Sequence, residues 1–176
     1  MRNALRQEMR ARRLALSPQE QVLLAQSAAR KLTEHPFWEK AGEIALYSPI
    51  RQELDTQWVA RLAWEQNKRL LYPRVEGQQM AFYPVNTPQD LRPGAWGILE
   101  PVGKAPREDL SRALMLVPAL AVDAAGYRLG WGGGYYDRYF AQHPVGCRLG
   151  FVYGFQLVET TDPQPWDQPL DGVITP

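Results

Sequence analysis

Between Arg128 and Arg138 the chain sets four glycines (Gly130, Gly132, Gly133 and Gly134), an arginine at each end, the pair Tyr135-Tyr136 and Asp137. Without a Cβ, glycine backbone can turn through positive φ and come close to a ligand. Backbone N–H groups in a concave turn, arginine forks and one carboxylate for a divalent metal make a kit for holding a polyphosphate. Upstream, the apolar run Ala113 to Val117 ends at Pro118 and reads as a buried strand. Downstream, Tyr135 to Gln142 is helix-compatible and stops before His143-Pro144. The loop therefore leads into a helix N-terminus, where the dipole and free amides favour anions. Its spacing is neither G-x-x-x-x-G-K-[ST] nor G-x-G-x-x-G. Taken alone, it reads equally as a tight glycine turn that closes a strand–helix corner.

The N-terminus holds the other concentration of charge. Arg2, Arg6, Arg10 and Arg13 fall along one helical stripe beside Leu5 and Met9, with Arg12 close by and only Glu8 opposed. Such a stripe is either a phosphate-binding face or a solvated one. Net charge over the 176 residues is only +1, which argues against general nucleic-acid binding. A 45% hydrophobic, 22% charged composition is that of a globular protein, expected as a single domain over residues 1–176 and as a monomer. The lone Cys147 excludes an intramolecular disulfide and a multi-cysteine zinc site, and it fits a reducing cytoplasm. No basic start followed by an apolar run is visible, and no apolar stretch approaches the ~20 residues of a span, so a membrane partner is not expected. With no G-x-S-x-G, nucleophilic hydrolase chemistry has little to stand on.

The elements that must position these residues can be read from pattern. A first helix covers residues 2–15, and Ser17-Pro18-Gln19-Glu20 opens a second as a capping box, ended by His35-Pro36. A strand at Ile44 to Tyr47, a helix from Gln57 to Gln66 capped by Thr56, and a strand from Arg69 to Tyr72 follow. Met80 to Tyr83 reads as a hairpin element, Pro84 to Pro106 as loops, and Asp109 to Arg112 as a helical turn. Strands at Leu114 to Val117, Arg148 to Val152 and Gly172 to Thr175 complete the series. Alternating strands and helices predict an α/β fold: a mostly parallel open sheet with helices on both faces, Rossmann-like and three-layered, plus the small hairpin. Ligands in such sheets collect at the carboxyl ends of the strands.

Taken with its surroundings, the segment resembles the signature of the 5-formyltetrahydrofolate cyclo-ligase family: strand, Pro118, Asp123, Gly126, then a run like R-L-G-x-G-x-G-[YF]-Y-D-R. Leu5-Arg6 with Arg2 is similar to that family's opening K-x-x-L-R, and Glu53-Leu54-Asp55-Thr56 to its [DE]-E-[IL]-x-T. Tyr72-Pro73-Arg74, Gly97-Ile98-Leu99-Glu100-Pro101 and the closing segment from Pro169 to Pro176 match in the same order. Trp131 departs from the pattern, since the family often has a basic residue there and many members have lysine at Gly133. A tryptophan cannot neutralise phosphate, although its ring can stack on a flat purine or pterin.

The resemblance implies an ATP- and Mg²⁺-dependent ligase that closes 5-formyltetrahydrofolate to 5,10-methenyltetrahydrofolate. ATP would phosphorylate the formyl oxygen, and the neighbouring amine would then expel it as phosphate. By the same resemblance, Arg2, Asn3, Ala4, Leu5 and Arg6, together with Arg128, Leu129, Gly130, Trp131, Gly132, Gly133, Gly134, Tyr135 and Tyr136, contact ATP. Ser48, Glu53 and the run from Trp131 to Tyr135 line the folate pocket, with Glu53 accepting pterin N–H groups. Asp137 and Asp171 bind Mg²⁺, and Arg128, Tyr136 and Asp137 act in catalysis. From the residues alone, Asp137 also reads as a first-turn helix carboxylate, Asp171 as a turn residue before Gly172, and Glu53 as a helix-entry residue. The competing function is a folate- or nucleotide-binding protein without turnover.

Overall fold

The computed structural model describes residues 1–176, apart from the side chain of Ala95. Its centre is a six-stranded sheet made of β1 (Glu43–Ala45), β2 (Arg69–Glu76), β3 (Gln79–Val85), β6 (Leu110–Val117), β9 (Val145–Phe151) and β11 (Gly172–Ile174). They lie in the order β11-β9-β6-β1-β2-β3. Every pairing is parallel except β2 with β3, which form a hairpin through Gly77 and Gln78. The expected open, mostly parallel sheet with a hairpin is therefore present, and the hairpin is longer than Met80 to Tyr83.

Side chains of successive strand residues point to opposite faces, and here both faces are covered. Ile44, Leu70, Leu114, Leu116 and Leu149 meet α2 (Pro18–Thr33), α3 (Pro36–Lys40) and α4 (Gln57–Glu65) through Ala25, Ala28, Ala29, Leu32, Trp38, Val59 and Ala63. Ala45, Leu71, Met115 and Val117 meet Tyr139 and Phe140 of α5 (Tyr135–Gln142). Such fully buried strands read as continuous apolar runs, as Ala113 to Val117 does. Ser17 caps α2, its Oγ accepting the Glu20 N–H at 3.1 Å. Among the described residues no helix is long and apolar enough to cross a membrane.

Four elements differ from the sequence-based expectation. Asp109 to Arg112 is not a helical turn, because Asp109 accepts the Ser111 N–H while Leu110, fully buried, pairs with Val145 and starts β6. His35-Pro36 ends α2 but also begins α3, with Pro36 at the first helical position and His35 Nδ1 taking the Phe37 N–H at 3.1 Å. The loop region from Pro84 to Pro106 contains a small antiparallel pair, β4 (Leu91–Pro93) with β5 (Leu99–Pro101). A second small sheet joins β7 (Ala121–Asp123), β8 (Arg128–Leu129) and β10 (Leu157–Val158). Through Leu120, Ala121 and Leu129 it packs on Leu5 and Met9 of α1 (Arg2–Leu14). The glycine loop thus leaves the short strand β8 of this side sheet, not β6 directly.

Candidate active site

The carboxyl ends of β1 and β6, the glycine loop, the start of α1 and the β4–β5 loop enclose a cavity of about 930 Å³. That is the upper end of the ~300–1,000 Å³ usual for small-ligand sites. Gly132 (φ +110°) and Gly134 (φ +71°) adopt backbone that L-residues rarely do. At Gly134, the residue preceding α5, a Cβ would also stand 2.7 Å from an Arg138 guanidinium nitrogen. Among the described residues, the backbone N–H groups from Gly132 to Asp137 meet no protein acceptor. This is the donor-lined turn at a helix N-terminus that an anion needs. The loop is fixed from both sides. Arg138 donates twice to the Gln78 carbonyl, at 3.0 and 2.8 Å, which ties α5 to the β2–β3 turn. Arg6 of α1 donates to the Gly130 carbonyl at 2.9 Å.

Arg128 is buried behind the loop. It donates to the Pro118 carbonyl at 3.2 Å, lies 3.7 Å from Asp137 Oδ2, and faces the Tyr136 ring at 5.0 Å. Its Nε–H has no partner among the described residues. Burial draws its pKa down, and Asp137 pulls it back. Burial also raises the Tyr136 hydroxyl well above its ordinary value, so it stays protonated and can donate. On another wall of the cavity, Glu53 Oε2 accepts the Ile50 N–H at 3.0 Å and Oε1 the Trp131 indole N–H at 3.1 Å. Ser48 spends its hydroxyl proton on the Leu99 carbonyl at 2.7 Å, joining β1 to β5.

The 5-formyltetrahydrofolate cyclo-ligase family model matches residues 1–176. The chain belongs to this family. The 5-formyltetrahydrofolate cyclo-ligase of Escherichia coli K12 is 33% identical over 96% of each chain, and that of Haemophilus influenzae 29% over 98% of this chain and 96% of the relative. The 5,10-methenyltetrahydrofolate synthetase of Aquifex aeolicus superimposes with a TM-score of 0.86 at 34% identity, covering 98% of this chain and 88% of its own. The chain is a ligase of one-carbon folate metabolism, with an α/β fold shared across its relatives.

In this cyclo-ligase family member the cavity collects Arg2, Asn3, Arg6, Ser48, Glu53, Arg128, Gly130 to Tyr136 and Asp137. Ala4, Leu5 and Leu129, expected at ATP, do not line it. Ala4 faces solvent, Leu5 turns inward with Met9, and Leu129 is fully buried against Leu120. Helical spacing explains the split on α1, since Arg2 and Arg6 are four apart while Leu5 lies on the next stripe.

Asp171 does not line the cavity either. It stands just before β11, at the amino end of the strand and away from the carboxyl-end rim, where its carboxylate accepts the Arg148 N–H at 2.8 Å. Beside Glu53 and Asp137, the cavity is lined by Asp162 and by Asp167, the latter 7% exposed and paired with Arg2 at 3.2 Å. Sequence reading missed Asp167, and nothing local marks it. Its placement comes from Asp123, whose Oδ2 takes both donors of Thr161, at 3.0 and 2.8 Å, and pins the segment that delivers Asp162, Gln164, Trp166 and Asp167. Trp96 and Trp166, 76% and 66% exposed, stand at the cavity edge rather than in the core. Cys147 is buried, and its thiol is pushed up to about 11 by that burial, which makes it unreactive.

Proposed function

We propose that this cavity binds ATP and 5-formyltetrahydrofolate together and carries out the family's ATP-dependent cyclisation to 5,10-methenyltetrahydrofolate, ADP and phosphate. The supporting observation is the convergence, in one cavity, of a donor-lined glycine loop and a buried carboxylate that faces the same space. Gly132 to Tyr136 amides hold the triphosphate, with Arg6, Arg2 and Arg128 offsetting its charge. Glu53 accepts pterin N–H donors and so aims the formyl oxygen at the γ-phosphorus. That oxygen attacks, ADP departs, and N10 adds to the activated carbon. The oxygen then leaves as phosphate while N10 gives up its proton. No protein nucleophile is needed; the protein contributes alignment and charge.

Mg²⁺ fits the residues present. Among the described residues no three His, Cys, Asp or Glu side chains converge on a metal cage, yet a phosphate-borne Mg²⁺ needs only one or two carboxylates. Asp137 and Asp167 both line the cavity, and each keeps an oxygen free of hydrogen bonds among the described residues. Mg²⁺ there would draw charge from the γ-phosphoryl group. We assign it to Asp137 and Asp167, and place the enzyme in the cytoplasm as a monomer acting on small molecules.

The test is to mix purified chain, ATP, Mg²⁺ and 5-formyltetrahydrofolate and follow the methenyl chromophore together with ADP release. Equal molar appearance of both supports the reading. Ligand-induced thermal stabilisation without turnover overturns it in favour of a binding protein.

A further inference from the structure

Trp131 touches the folate-facing wall in two separable ways. Its indole N–H donates to Glu53 Oε1 at 3.1 Å, while the Ile50 N–H donates to Oε2 at 3.0 Å. A carboxylate offers about four lone-pair sites, so the protein occupies one on each oxygen and leaves the others to the cavity that Glu53 lines. The ring is held independently of that bond. Arg51, Arg10 and Arg13 guanidinium carbons lie 4.7, 5.4 and 5.7 Å from its centroid, all within cation–π reach. Arg13 is itself immobilised, 1% exposed, with Nη2 donating to the Ala119 carbonyl at 2.6 Å. The turn carrying Glu53 closes on itself through the Glu53 N–H to the Ile50 carbonyl at 2.9 Å, and Arg51 and Gln52 take the left-handed conformation inside it. Backbone strain of that kind persists only where surroundings enforce it.

We infer that Trp131 is a positioning residue for folate: clamped by the three arginines, its N–H holds the Glu53 carboxylate in the orientation that meets two adjacent donors of the pterin. This rests on the reading of Glu53 as the folate acceptor. Burial raises the Glu53 pKa, and the Ile50 and Trp131 donors, with Arg13 and Arg51, oppose that rise. The same N–H therefore favours the ionised form that accepts.

Trp131→Phe keeps an aromatic face for the arginines and removes only the donor. The Michaelis constant for 5-formyltetrahydrofolate should rise about tenfold, the scale of one hydrogen bond to a charged group, while kcat and the constant for ATP stay within about twofold. The acid limb of kcat/KM for folate should move to higher pH, because Glu53 without its donor is protonated sooner. In a Glu53→Gln background the substitution should add nothing further. Trp131→His, with a smaller ring that retains an N–H, should bind folate better than Trp131→Phe; a plain wall contact predicts the reverse order. If Glu53→Gln raises the folate constant and Trp131→Phe does not, the positioning role alone fails. If Glu53→Gln leaves the folate constant unaltered, the reading of Glu53 fails and takes this inference with it.

Discussion

Arg2 and Asp167, 165 positions apart, meet at 3.2 Å with the carboxylate almost wholly shielded from water. The first turn of α1 and the last long loop are thereby latched together beside the cavity that both residues line. Removing one partner of a shielded pair leaves a charge without compensation, so losing either residue should loosen the contact between the two chain ends.

The two carboxylates proposed for Mg²⁺, Asp137 and Asp167, can be told from Asp171 outside the cavity. Asp137→Asn and Asp167→Asn should each shift the Mg²⁺ dependence of the initial rate to concentrations at least tenfold higher. Asp171→Asn should leave that midpoint in place, since its carboxylate serves the Arg148 backbone. Titrating Mg²⁺ at saturating folate measures all three. An equal shift for Asp171→Asn contradicts the assignment.

Arg6 clamps the glycine loop through the Gly130 carbonyl and donates to Asn3 Oδ1 at 2.8 Å. Arg6→Ala removes both the clamp and a cation, and should raise the constant for ATP more than tenfold with a smaller effect on folate. Arg6→Lys keeps the charge but loses the rigid fork, so it should recover only part of the loss. Steady-state kinetics with each substrate varied in turn decides this; equal effects on both substrates would signal a general loss of fold.

Gly134→Ala forces an L-residue to φ +71° and drives its Cβ into Arg138. The left-handed conformation costs roughly 1–2 kcal/mol, which for a chain of this length lowers Tm by about 2–8 °C. ATP binding should weaken more than the fold does, because the same turn aims the amides that begin α5. Calorimetric unfolding and nucleotide titration on one sample compare the two losses.

What the sequence carried openly was local. The glycine loop, the arginine stripe and the apolar run of β6 each announce themselves within a few residues, through backbone freedom, charge spacing and burial on both faces. Asp167 was illegible because its place depends on Asp123 holding Thr161, a contact 38 positions long. The β7, β8 and β10 strands are two or three residues each, too short to leave a period. Asp109 to Arg112 misled because an aspartate that bonds two residues on looks like a helix start until Leu110 finds Val145. Trp131 looked like the loss of a phosphate cation, whereas the arginines gathered at its ring come from α1 and the β1–α4 loop, distant in sequence.

Glu53 sets a pH dependence whose sign follows from its burial. Its pKa in the native state lies above the ordinary 4.5, chiefly through desolvation. Between those two values the native state keeps a proton that the unfolded chain has released. Stability from this group is therefore full below 4.5 and is lost as pH rises through the native value. Folate binding through Glu53, as proposed, should run the other way, because only the ionised carboxylate offers all its lone pairs to pterin donors. Urea unfolding of the parent chain should show this loss of stability across that window, and Glu53→Gln should not. Over the same window kcat/KM for folate should climb in the parent and stay flat in the variant. A parent chain whose stability and folate use rise together there would show that Glu53 is not the group being titrated.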